Sequence, residues 1–248
     1  MKKHYLLFIL LTIFSVVGCS NKGETQENID PNTPDYPQNY IGFSDIKYKD
    51  FTFRVNNIIF NESDANSSIE FLKAKIDTIY TLIDISYIKK ICKNPIWVEK
   101  NINNGGAWYN PSYDWLKENN MITAKAKCVE ITNYKHFVAW MKLNQPYSLF
   151  HELCHLYHDQ VLGFDYPLII EAYNHANDSG MYRNISYFSG NGIYIKKDKA
   201  YALTNHKEYF TETCEAFFGF NDYYPHNNAQ LKDYDPQMYQ ILKNIWGK

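Results

Sequence analysis

The sequence predicts one α+β domain in which a small sheet comes first and a mainly helical C-terminal half follows. Two patterns and the composition lead to that class. Short apolar or alternating runs bounded by turn residues fall between Phe51 and Ile131, whereas apolar residues at helical spacing dominate from His136 onward. The composition, 45% hydrophobic against 21% charged, suits a chain that fills a core rather than a disordered one. Its 248 residues suffice for one well-buried domain. A net charge of -2 gives no basic footprint for nucleic acid. Arg54 and Arg183 are the only arginines, so bidentate phosphate clamping is not a theme either.

The first segment stands apart from the domain. Lys2 and Lys3 precede an apolar run from Tyr5 to Val17 and then Gly18-Cys19, the layout of a secretory signal. That run is too short to span a bilayer comfortably, which takes roughly 20 residues. Val16-Val17-Gly18-Cys19 resembles the bacterial lipoprotein box, which implies a lipidated Cys19 and a membrane-anchored protein of the bacterial cell envelope, outside the cytoplasm. The expected organisation is a signal peptide at 1–18, a lipidated polar linker with Pro31, Pro34 and Pro37 at 19–38, and the folded domain at 39–248. Cys92, Cys128, Cys154 and Cys214 then lie where disulfides are permitted. Their spacing selects no pairing and contains no Cys-x-x-Cys, so buried free thiols and bridges both stay open.

Within the domain, Phe51 to Phe60 alternates like a strand, and the polar stretch Asn61 to Ser68 suits a turn and a helix cap. Phe71, Leu72, Ile76, Ile79, Tyr80 and Ile83 then predict one long amphipathic helix over Ile69 to Ile91. Pro95 to Val98 reads as a short strand, Asn101 to Tyr109 with Gly105 and Gly106 as a loop or edge strand, and Ala126 to Ile131 as another strand. Phe137 to Met141 closes one helix. Asn144-Gln145-Pro146 starts the next, which runs toward Gly163. A helix over Leu168 to Met181, a strand or loop over Tyr194 to Tyr201, a helix over Asn205 to Phe218 stopped by Gly219, and a last helix over Asp235 to Trp246 complete the pass.

The helix before Gly163 carries SLFHELCHLYH, residues 148 to 158. On a helix His151 and His155 lie one above the other, with Glu152 beside them. Two neutral imidazoles so placed reach one Zn²⁺, and the carboxylate sits near the metal's open position, the His-Glu-x-x-His signature of metalloproteases. In that role the metal acidifies a bound water, Glu152 takes its proton, and the hydroxide attacks a carbonyl. The bland alternative is a helix whose histidines make ordinary surface hydrogen bonds.

A tetrahedral catalytic site needs a third protein ligand. The metzincin extension is absent, because this chain has His158 and Val161 where Gly and His would stand. Glu171 and His175 are nearby candidates, and further on lies YALTNHKEYFTE, residues 201 to 212. The pattern Tyr-x-x-Thr-Asn-x-x-Glu-(Phe/Tyr)-Phe-x-Glu, placed after His-Glu-x-x-His, resembles the catalytic domain of anthrax lethal factor and related bacterial gluzincin endopeptidases. The resemblance implies a zincin-like domain in which His151, His155 and Glu208 bind zinc, Glu152 is the general base and Tyr201 stabilises the oxyanion. A phenol of pKa about 10 remains a donor at working pH, as that role requires. Asn205-x-x-Glu208 also has the form of a helix capping box. Glu212, one turn past Glu208, and Asp159, one turn past His155, are candidates to receive a ligand histidine's second N–H or to be solvated helix charges.

The resemblance covers about residues 148 to 163 and 201 to 219. It departs at Cys154, where the toxin has glycine, and the chain has no room for the toxin's delivery domains, so the toxin's targets are not carried over. Asn101 to Tyr109 and Ala126 to Ile131 are, by analogy with zincins, candidate edges for an extended peptide substrate. The expected function is a membrane-anchored zinc metallopeptidase acting on peptides or proteins. The alternative is a non-catalytic surface lipoprotein of the same fold that binds a protein or glycan.

Overall fold

The computed structural model describes residues 40–103 and 105–248, so the signal peptide at 1–18, Cys19 and the linker at 19–38 lie outside the described residues. Among those described, no helix is long and apolar enough to cross a membrane.

The chain enters through a hairpin, β1 (Phe43–Tyr48) and β2 (Phe51–Asn56). The predicted strand stops at Asn56 because its side chain accepts a hydrogen bond from Ile58 N at 3.2 Å and caps a tight turn over Asn57–Asn61. The single long helix predicted next is two, α1 (Ala65–Leu82) and α2 (Ile85–Ile91), with Ile83 and Asp84 extended between them. Periodicity explains the break: an unbroken helix would carry Tyr87 and Lys90 inward after Ile83, whereas restarting at Ile85 turns Ile88 and Ile91 into the core.

Next come β3 (Ile96–Val98), β4 (Ala107–Asn110) and α3 (Tyr113–Glu118), the last capped by the Ser112 side chain. The strand β5 (Cys128–Ile131) follows. The sheet order is β1-β2-β3-β5-β4, with β2, β3 and β5 parallel and the two outer strands antiparallel. Of the two edges expected from sequence, residues 107–110 are one; residues 128–131 are instead interior, paired on both sides, because the crossover from β3 returns between β3 and β4.

The helical half has α4 (Tyr134–Leu143), α5 (Ser148–Tyr157) and α6 (Pro167–Asp178), then a hairpin of β6 (Arg183–Gly190) and β7 (Ile193–Lys199), and finally α7 (His206–Phe218), α8 (Asn228–Tyr234) and α9 (Pro236–Trp246). The hairpin turns on Asn191 and Gly192, both at positive φ, the dipeptide that such turns favour. The chain is thus mixed α and β as expected, although the C-terminal half is not purely helical.

One face of the main sheet joins the core: Phe51, Phe53, Val55, Ile96, Val98, Val129 and Ile131 share a buried cluster with Leu72, Ile76 and Ile79 of α1 and Leu149 and Leu153 of α5. Each such side chain contributes about 1.5–3 kcal/mol by leaving water. The opposite face carries one cross-strand row, Asp45, Arg54, Trp97, Glu130 and Trp108 in register. Arg54 donates to both Asp45 oxygens at 2.8 Å and lies over the Trp97 ring. Buried Lys125 bridges Glu99 Oε1 at 2.6 Å and Glu130 Oε1 at 2.5 Å. Asn56 Nδ2 donates to the second Glu99 oxygen, and Trp108 Nε1 and Asn110 Nδ2 donate to that of Glu130. Every oxygen of these two glutamates is partnered.

Candidate metal centre

Helices α5 and α7 pack against each other and carry the predicted residues between them. Asn205 starts α7 by accepting hydrogen bonds from the Lys207 and Glu208 amides at 2.9 and 3.0 Å. The Glu208 side chain is not turned back to complete a capping box. Its Oε2 lies 3.2 Å from both His151 Nε2 and His155 Nε2. The His151, His155 and Glu208 ligand atoms all fall within 4.8 Å of one another. Glu152, one residue along α5 from His151, is partly buried.

His151 Nδ1 donates to Glu215 Oε1 at 2.6 Å, which fixes the ring and leaves Nε2 facing Glu208. The partner is neither of the two expected. Glu212 lies 3.9 Å from that nitrogen, too far for a hydrogen bond. Asp159 faces away, accepting from Tyr109 Oη at 2.6 Å and Lys127 Nζ at 2.7 Å. Glu208, Glu212 and Glu215 form a stripe at i, i+4 and i+7, so the sequence did contain the signal for Glu215. Glu171 and His175 lie on the exposed side of α6 and join no cluster of potential ligands among the described residues.

Tyr201 opens the tight turn Tyr201–Thr204 that joins β7 to α7. Burial and then the Glu208 carboxylate push its phenol up to about 12, so it remains a hydrogen-bond donor. Burial also raises the Glu152 carboxyl above its usual range, opposed by the two histidines. Glu212 is held well above the carboxylate range by burial, then by Asp222 and Glu215, and its Oε2 has no partner among the described residues. Burial opposes charge on His151, but Glu208 and Glu215 outweigh it and hold its pKa well above normal. The cleft thus gathers four carboxyl groups around two imidazoles.

The donor set fits zinc. Zn–N bonds of 2.0–2.1 Å imply ligands about 3.3 Å apart along a tetrahedral edge, and both Nε2 to Oε2 distances are 3.2 Å. A second grouping, His151 with Glu212 and Glu215, would use Nδ1. That nitrogen already donates to Glu215, and the grouping offers a single imidazole, so the first set suits zinc better.

The four described cysteines are unbridged, and Cys128, Cys154 and Cys214 are buried. Cys154 and Cys214 are both buried and face each other between α5 and α7, which accounts for a cysteine between the two histidines as packing. Just beyond, His158 is fully buried in a π-helical turn ended by Gly163, and neither ring nitrogen has a partner among the described residues. Burial lowers its pKa to about 3.

In comparisons with known proteins, the chain matches no family model, no curated protein and no solved structure.

Proposed function

We propose that the chain is a lipid-anchored zinc metallopeptidase of zincin-like fold. His151, His155 and Glu208 hold the metal, Glu152 is the general base and Tyr201 the oxyanion donor. The observation that carries this reading is the convergence of two helix-borne Nε2 atoms on one Glu208 oxygen at 3.2 Å. A zinc ion held there supplies Lewis-acid polarisation of a carbonyl and acidifies water. Glu152, beside His151 on α5, accepts the proton of an attacking water and returns it to the leaving amine. Tyr201 donates a hydrogen bond to the carbonyl oxygen as negative charge develops on it. Glu215 fixes the tautomer of His151. The edge strand β4 packs against α5, so an extended peptide adding to it lies alongside the histidine helix. Acyl chains on Cys19 tether this domain to the envelope, each buried methylene contributing about 0.8 kcal/mol.

The test measures bound zinc and peptide cleavage by the purified protein and by Glu152→Gln. The expected result is one zinc per chain in both, with cleavage reduced about 10²- to 10⁴-fold in the variant. Absence of zinc would remove the proposed centre. Stoichiometric zinc without cleavage across a diverse peptide library would replace the enzyme with a non-catalytic binding protein.

A further inference from the structure

The β6–β7 hairpin has one covered edge and one open edge. Along β6, Phe188 N donates to Asp222 O at 2.7 Å and Tyr224 N to Ser186 O at 2.9 Å. The even-numbered residues of β6 therefore bond to the 222–224 segment, and the odd-numbered ones bond to β7 through the pairs Ile185–Lys197 and Tyr187–Ile195. By the same alternation, the backbone N–H and C=O groups of Tyr194, Lys196 and Asp198 point outward from β7. Among the described residues nothing pairs with them.

The side chains on this edge are unusual for an unprotected strand. All seven residues of β7 are exposed, and Ile193, Tyr194 and Ile195 are 56%, 53% and 43% exposed. Lys196, Lys197 and Lys199 follow, interrupted only by Asp198, and no described carboxylate forms an ion pair with any of the three. A chain of net charge -2 thus concentrates positive charge beside an apolar step on one open edge. The strand leads directly to Tyr201: Lys199 and Tyr201 are two residues apart, at most about 7 Å between Cα atoms.

We propose that the outer edge of β7 is a docking strand for an extended, acidic segment of a protein substrate, held apart from the scissile bond. This rests on the metallopeptidase reading. The outward backbone groups of Tyr194, Lys196 and Asp198 supply strand-addition hydrogen bonds, the lysines pair with Asp or Glu side chains, and Ile193 and Ile195 cover an apolar residue of the guest. A second copy of this chain is a poor occupant, because it would gather the lysines of both strands on one ribbon. Lysines on an open edge also repel basic strands, which turns protection against aggregation into selectivity.

The test uses the full chain carrying Glu152→Gln, so that binding is read without turnover. A fluorescent peptide of alternating Glu and Thr, and its Gln-for-Glu counterpart, are titrated by anisotropy at low and high salt. The Glu peptide is expected to bind about tenfold more tightly, with the advantage shrinking as salt rises. Adding Lys196→Pro removes an outward N–H without touching the ladder to β6, and is expected to weaken binding about tenfold. The paired reversals Lys196→Glu and Lys197→Glu abolish the preference for Glu. Equal binding of the two peptides, or full binding in the Lys196→Pro protein, overturns the proposal. Loss of zinc or of cleavage in the unmodified protein overturns the peptidase reading instead, and leaves peptide binding at β7 separately measured.

Discussion

Two regions of this molecule bury charge, and they do so in opposite ways. Across the sheet, Lys125 sits between Glu99 and Glu130, and amide or indole donors fill the remaining oxygens of both glutamates. Between α5 and α7, four glutamates surround two histidines, one buried carboxylate oxygen has no partner among the described residues, and burial raises the Glu152 and Glu212 carboxyls. In the first arrangement every carboxylate oxygen has a hydrogen-bond partner, and in the second one carboxylate oxygen has none among the described residues. Buried carboxylates whose oxygens are all partnered support a fold, whereas a buried carboxylate with an open oxygen is the place to test for a ligand.

The comparison breaks if the sheet network proves functional or the helix site merely structural. The largest effect is expected from Lys125→Met, which leaves Glu99 and Glu130 buried without their cation. It should lower stability by about 3–5 kcal/mol in urea unfolding, while zinc affinity of the folded fraction, measured by competition with a chelating dye, stays unchanged. A change in zinc affinity would merge the two regions.

His158 is a third kind of buried polar group, neutral and, among the described residues, without a partner. Its pKa of about 3 in the fold lies below the 6.5 of a free imidazole. The unfolded chain therefore takes up this proton first, and stability present above pH 6.5 is lost as pH falls toward 3. Over pH 6.5 to 4 this ring accounts for about 3 kcal/mol. Unfolding free energies of His158→Leu should be flatter by that amount over the same interval, and an unchanged slope would mean that the ring is partnered in solution.

The smallest effect sharpens the reading of the helix site itself. Glu215→Gln keeps an acceptor for His151 Nδ1 but removes charge, and zinc affinity should fall about 10- to 100-fold. Stability of the zinc-free protein should move by much less. An unaltered affinity would make Glu215 a packing residue.

Much of the helix site was legible because its residues are periodic. His151 and His155 at i, i+4 and the Asn205 cap fixed where two helices present their side chains, and Glu215 belonged to the same stripe as Glu208. The sheet network was not legible, because it depends on pairing Trp97 with Glu130 across a parallel register that no local pattern encodes. The strand β6 was missed although Asn191-Gly192 is a hairpin signal, since Ile185, Tyr187 and Phe188 among polar neighbours, most of them only partly buried, give no clear alternation. The break between α1 and α2 lay in the phase of Ile83, Ile88 and Ile91, visible only when each isoleucine is required to face the core.

The thiol contact between Cys154 and Cys214 acts as a spacer of fixed thickness. Each cysteine adjoins a residue of the helix site, His155 on one side and Glu215 on the other, so the width of this seam sets how far the imidazoles stand from the acidic stripe. A bulkier residue at either position would wedge the helices apart, at about 1–3 kcal/mol for the strain, and enlarge the aperture between donors without altering any of them. If the site holds a metal ion as proposed, discrimination among ions of different radius becomes a mechanical property of two helices and the sulfur atoms between them.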